Sequence, residues 1–153
     1  MMFKYAILGI VQGITEFLPV SSSGHLVIMQ KIIGVTDQAI IVSIVLHLGT
    51  SLALVIFFFK DILNLLRNLR LLSYIIIVTL VTGIIGISGK GFFESLFNSP
   101  RLVAIALIFT GIVLILTKKF MQAKRSSVNI KDAFILGLTQ GLAIIPGISR
   151  SGI

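Results

Sequence analysis

Ile7 to Gly24 reads ILGIVQGITEFLPVSSSG and Ile135 to Gly152 reads ILGLTQGLAIIPGISRSG; they align without a gap at an offset of 128 residues, with 8 of 18 positions identical. Leu and Ile match readily in an apolar chain. Gly-x-x-Gln-Gly followed at fixed spacing by Ser-x-Ser-Gly does not. The sequence therefore holds one complete repeat and the opening of a second, and the match ends one residue before Ile153.

Composition decides the solvent. Hydrophobic residues make up 56% of the chain and charged residues 12%, with a mean hydropathy of +1.11, far from the range of soluble domains. An integral membrane protein is expected. The amino-terminal apolar run contains Gln12 and Glu16 and lacks a small-residue cleavage site, unlike a secretory signal. Cysteine is absent and only His25 and His47 are present, which excludes disulfides, thiolate chemistry and a histidine-rich metal cage. The net charge of +8 comes from residues flanking apolar runs rather than from basic patches interleaved with aromatics. It is explained by the positive-inside bias, and no nucleic-acid partner is expected.

Three stretches, 39–59, 71–88 and 100–120, approach the roughly 20 residues needed to span a bilayer core. One set of connectors carries Lys60, Arg67, Arg70, Lys118, Lys119, Lys124, Arg125 and Lys131; the other carries Lys31, Lys90 and Arg101, with Lys4. Eight against four places the first set in the cytoplasm. Residues 1–38 differ, because Pro19 and the serine run break them into halves too short to cross. Irregular backbone at membrane depth must be buried in protein or line a wet cavity, so a re-entrant hairpin is expected. Three intervening spans would make 131–153 an inverted, incomplete second hairpin. The predicted fold is an all-α polytopic membrane protein whose opposed broken helices meet near the midplane.

The polar residues fall at those breaks. Gln12 and Glu16 are four apart and share a helix face, and a carboxylate in an apolar hairpin needs a cation or a polar cavity. Ser21, Ser22, Ser23 and Gly24 precede an apolar run and open a half-helix whose free N–H groups suit phosphate. His25, in the first turn, is placed for acid–base work. In the second copy Ser149 and Ser151 flank Arg150, whose guanidinium suits bidentate contact with phosphate. A purely local role, serines capping a helix and Arg150 solvated or on lipid head groups, competes with this reading. His47 reads as a packing or hydrogen-bonding histidine, and Asp61 and Asp132 as interfacial charges.

Gln12-x-x-x-Glu16 with Phe17-Leu18-Pro19-Val20-Ser21-Ser22-Ser23-Gly24-His25, and Pro146-Gly147-Ile148-Ser149-Arg150-Ser151-Gly152, resemble the two motifs of the undecaprenyl-diphosphate phosphatases, also called bacitracin-resistance proteins. The resemblance extends through His47-Leu48-Gly49-Thr50. It implies hydrolysis of a polyprenyl diphosphate at the external face of the bacterial plasma membrane, recycling the lipid carrier for peptidoglycan. It also implies a divalent cation; with no cysteine and one carboxylate near the site, oxygen-bound Mg²⁺ or Ca²⁺ is expected. By motif match, Glu16 and Gln12 would handle the metal or the attacking group, Ser22 and His25 would supply nucleophile or base in either order, and Arg150 would stabilise phosphate. Expected partners are the lipid substrate and the bilayer, with homo-oligomerisation open. Members of that family resemble a longer chain, so the 153 residues alone are expected to be inactive. The rival reading is an inverted-repeat lipid-phosphate flippase, which would bind phosphate without needing Ser22 or His25.

Overall fold

The computed structural model describes residues 2–35, 37–117 and 128–152. Lys118, Lys119, Lys124, Arg125, the end of the 100–120 stretch and Ile153 lie outside the described residues. Eight helices and no strand occur among the described residues. They are α1 (Met2–Thr15), α2 (Ser22–Ile32), α3 (Ala39–Phe57), α4 (Phe59–Leu66), α5 (Leu69–Ser88), α6 (Lys90–Phe97), α7 (Pro100–Thr117) and α8 (Ile130–Leu142).

Helices α3, α5 and α7, of 19, 20 and 18 residues, are long and apolar enough to cross a membrane. Their side chains face outward: α5 has no buried residue, and Ile76, Leu80 and Ile84 stand exposed along it. An outward face of that kind is stable against lipid rather than water. Helices α1 and α2, of 14 and 11 residues, rise only about 21 and 17 Å at 1.5 Å per residue. They pack against each other.

Local chemistry sets the boundaries. Helix α2 ends in a Schellman motif: Gly34 has φ 66°, its N–H donates to Lys31 O, and Val35 N–H donates to Gln30 O at 2.8 Å. Asn68 caps α5 by accepting from Leu71 N–H, and Pro100 supplies the fixed φ that favours a first helical position in α7. Asn129 and Asp132 form a capping box on α8, so Asp132 has a structural task at that helix start. Helices α4 and α6 lie where the sequence suggested plain connectors. Each follows a spanning helix after one irregular residue, Phe58 or Gly89. At Gly89 a Cβ would lie 2.6 Å from the Phe93 ring, so the ring takes the space a side chain would need.

Two pairings organise the chain. Helix α2 packs against α1 and α7 while α1 touches α3, and α8 lies along α5 in the most extensive helix contact among the described residues. Leu8, Leu26 and Val103 are fully enclosed at the first junction. The α8–α5 contact is close because its residues are small. A Cβ on Gly137 would lie 2.8 Å from Val81 Cβ, one on Gly141 would run into Ile85, and Thr82 Oγ1 donates to Gly137 O at 3.1 Å. Together these contacts bring the turn after α1 beside the turn after α8.

Candidate functional site

Glu16 sits one residue beyond α1, its N–H still donating to Gln12 O at 2.9 Å. The i, i+4 spacing brings the Gln12 side chain to the same face, where Nε2 donates to Glu16 Oε2 at 2.8 Å and to Thr50 Oγ1 at 3.3 Å. The opposite amide orientation would aim a carbonyl at a carboxylate, so Glu16 itself fixes which end of Gln12 it meets. Ser22 Oγ donates to the same carboxylate oxygen at 2.6 Å.

His47 approaches from α3, its Nε2 3.6 Å from Glu16 Oε2. Its Nδ1 lies 2.8 Å from Ser43 O, and a carbonyl only accepts, so Nδ1 carries a proton. Nε2 is the atom left for the pocket. Behind it, buried Gln30 donates to Ser43 Oγ at 3.2 Å and Ala39 O at 2.9 Å, holding the start of α3 against α2. His47 thus is a hydrogen-bonded histidine, as its sequence suggests, and also a neighbour of the carboxylate.

The α2 start divides its serines by task. Ser21, 4% exposed with φ 61°, is the N-cap, and its Oγ accepts from Gly24 N–H at 3.4 Å and from Gly147 N–H at 3.1 Å. It is a joint between the two repeat copies, although its edge reaches the cavity. Ser22 and Ser23 line that cavity more openly. Gly24 lies at the crossing of the two turns, where a Cβ would stand 2.8 Å from Gly147 Cα. His25 donates from Nδ1 to Ser21 O at 2.9 Å and is absent from the cavity wall.

The second turn is pinned from several sides. Gly147 has φ 103°, and a Cβ there would lie 2.6 Å from Val103 O, so both conformation and space require glycine. Thr110 of α7 donates to Gly147 O at 2.7 Å and accepts from Ser149 N–H at 3.3 Å. Ser149 is 1% exposed; its Oγ lies 3.2 Å from that of Ser151, which donates to Leu18 O at 3.3 Å. Gln140 Nε2 donates to Arg150 O at 3.0 Å. The Arg150 side chain is exposed at the cavity wall.

A cavity of about 450 Å³ joins these parts. Its polar wall includes Glu16, Ser22, Ser23, His47, Arg150 and Ser151, and its apolar wall includes Ile40, Ile44, Leu48, Phe97, Ile144 and Ile148. Of the residues expected from the sequence, Glu16, Ser21, Ser22, Ser23, Ser149, Arg150 and Ser151 meet here. Gln12, Gly24 and His25 stand behind the wall. Gln12 is 1% exposed, and its Oε1 is enclosed without a hydrogen-bond partner, so it braces Glu16 from beneath. Such an arrangement can hold an anionic head group between a hydroxyl–carboxylate pair and an arginine, with an apolar chain alongside.

Residues 5–153 match the family described as bacitracin resistance protein BacA. The chain belongs to that family. Among BacA-like relatives, it is 42% identical over 156 residues to an undecaprenyl-diphosphatase of Halothermothrix orenii, covering 98% of this chain and 60% of the relative. An undecaprenyl-diphosphatase of Carboxydothermus hydrogenoformans is 44% identical over 155 residues, covering 99% of this chain and 59% of the relative. A third, from Alkaliphilus metalliredigens, is 43% identical over 175 residues, covering 98% and 63%. The chain thus spans roughly three fifths of the length of these relatives.

Proposed function

We propose that the protein removes the terminal phosphate of undecaprenyl diphosphate, releasing inorganic phosphate and the lipid monophosphate. That reaction returns the lipid carrier to peptidoglycan synthesis and supports bacitracin resistance. The observation that carries the reading is the 2.6 Å hydrogen bond from Ser22 Oγ to Glu16 in a cavity shared with Arg150. The named activity of the relatives supports the substrate, as does the apolar wall from Ile40 to Phe97, which suits a prenyl chain.

The geometry supports one division of roles. Ser22 Oγ attacks the terminal phosphorus while its proton passes to Glu16. The Oγ–P bond forms, and the bond from phosphorus to the bridging oxygen breaks. The lipid monophosphate, already a stable anion, leaves unprotonated. Water then attacks the phosphoserine, Ser22 Oγ leaves and recovers the proton from Glu16, and the water protons remain with inorganic phosphate and solvent. Arg150 and the N–H groups opening α2 stabilise charge on the phosphoryl oxygens. His47 helps fix the carboxylate, and His25 orients the α2 turn through Ser21.

A Mg²⁺ or Ca²⁺ ion fits this donor set in one way. Among the described residues no group of three or more His, Cys, Asp and Glu gathers, and the Gln12 oxygen is sealed from the cavity. Glu16 Oε1, which receives no hydrogen bond among the described residues, would hold the ion together with phosphate oxygens and water, the mode typical of Mg²⁺. When bound, such an ion neutralises charge on the diphosphate. In the membrane, the α1–α2 hairpin and the segment from α8 would enter from opposite faces, with the cavity open to the external side of the plasma membrane.

The test is phosphate release from a polyprenyl diphosphate with Mg²⁺. It is measured for the chain in detergent and for a chimera in which it replaces the matching segment of the Halothermothrix orenii relative. The chimera is expected to release phosphate and Ser22→Ala to abolish release while lipid binding persists. Binding without any release, in a chimera that is folded, sinks the hydrolase and leaves a lipid-phosphate carrier.

A further inference from the structure

Helix α7 carries one buried hydroxyl in an otherwise apolar span. Thr110 is 6% exposed, and its surroundings along the helix are Ile, Leu, Phe and Gly. A helical threonine usually returns its proton to its own preceding turn, as Thr15 does to Val11 O at 2.7 Å, Thr117 to Leu114 O and Thr139 to Leu136 O. Thr110 does otherwise. Its proton goes 37 residues along the chain to Gly147 O at 2.7 Å, and its lone pair receives Ser149 N–H, 39 residues away, at 3.3 Å.

One hydroxyl thus grips both ends of a three-residue turn immediately before Arg150. Gln140 holds the far side by donating to Arg150 O at 3.0 Å. No hydrogen bond or ion pair engages the Arg150 guanidinium among the described residues, so its reach is set by its backbone alone. We propose that Thr110, with Gln140, is a positioning residue that sets Arg150 against the phosphate. This rests on the phosphate reading of the cavity. An arginine held in advance loses less freedom on binding than one on a slack turn.

Two measurements on the chain in detergent test this: amide hydrogen exchange across residues 147–151, and affinity for a polyprenyl diphosphate. Thr110→Val keeps the shape and removes both bonds. It is expected to speed exchange at Ser149 and Arg150 and to weaken binding roughly tenfold, the scale of one buried hydrogen bond. Thr110→Ser, which restores the hydroxyl, is expected to stay within about twofold of the parent. In an Arg150→Ala background, Thr110→Val is expected to change affinity by less than about twofold, because the two residues act as one unit. Equal weakening in both backgrounds, or unchanged exchange, overturns the proposal. If Thr110→Val does not fold, Gln140→Leu carries the same cycle with an expected loss of about threefold; a loss that survives Arg150→Ala overturns it. Failure of the parent chain to bind the lipid overturns the phosphate reading, and the role of Thr110 with it, whereas binding that ignores Thr110 and Gln140 overturns only the latter.

Discussion

The two copies of the repeat use identical residues for different work. In the first, Gln12 turns its amide to the Glu16 carboxylate one turn away; in the second, Gln140 turns its amide to the main chain of Arg150. The residue matching Glu16 is Ile144, so the second glutamine has no charge to brace. The glycines diverge too. A Cβ on Gly9 would find only Leu46 at 3.8 Å and one on Gly13 open space, whereas Gly137 and Gly141 are closed against α5. Even the paired serines differ, Ser21 accepting from Gly147 with its side chain while Ser149 donates to Thr110 with its backbone. One copy presents a carboxylate and a hydroxyl, the other an arginine. The shared glycines, glutamine and serines recur in both copies, and the ten differing positions, Glu16 against Ile144 and Ser22 against Arg150 among them, carry the divergent chemistry.

The contrast breaks most sharply at position 16. Glu16→Gln in the chimera is expected to slow phosphate release by about 10²–10⁴-fold, the usual worth of a general base, while Ile144→Ala, which trims one apolar side chain of the cavity wall, is expected to cost less than about tenfold and to act on affinity. Comparable losses from both would mean that the chemistry is shared between copies. The glycines sharpen it next. Gly137→Ala is expected to lower stability by about 1–3 kcal/mol through overpacking against Val81, and Gly9→Ala to raise it by up to about 1 kcal/mol through helix propensity. Thermal unfolding in detergent reads both, and matching signs would erase the distinction. Finally, Gln12→Leu is expected to reduce turnover about tenfold with substrate affinity little changed, the loss of a hydrogen bond to a charged acceptor. Gln140→Leu should instead act on affinity.

The spans were legible because length and apolarity suffice for them: α3 and α7 lie within the stretches marked by composition, and α5 starts two residues before its own, at Leu69. Helices α4 and α6 were not, since eight residues with a few charges look like a connector until a one-residue break lays them beside a span. The motif residues were legible as a set, but their division was not. Ser21 and Ser22 look alike in sequence, yet a left-handed backbone at Ser21 turns one hydroxyl into the joint and leaves the next one to Glu16. His47 carried a weak sign in its mid-span position, while its approach to Glu16 depends on how α3 meets α1. Thr110 carried none. A threonine in an apolar span is unremarkable until its partners, far along the chain, are known.

The bond from Gly147 N–H to Ser21 Oγ joins residues 126 apart. A ribosome adding about 5–20 residues per second takes roughly 6–25 s to make the intervening chain. For that interval the first turn, with Glu16 and Ser22 in it, waits in the membrane without the backbone that closes it. The polar turn is thus made well before the backbone that closes it, and its shelter in that interval comes from lipid head groups, water or the insertion machinery.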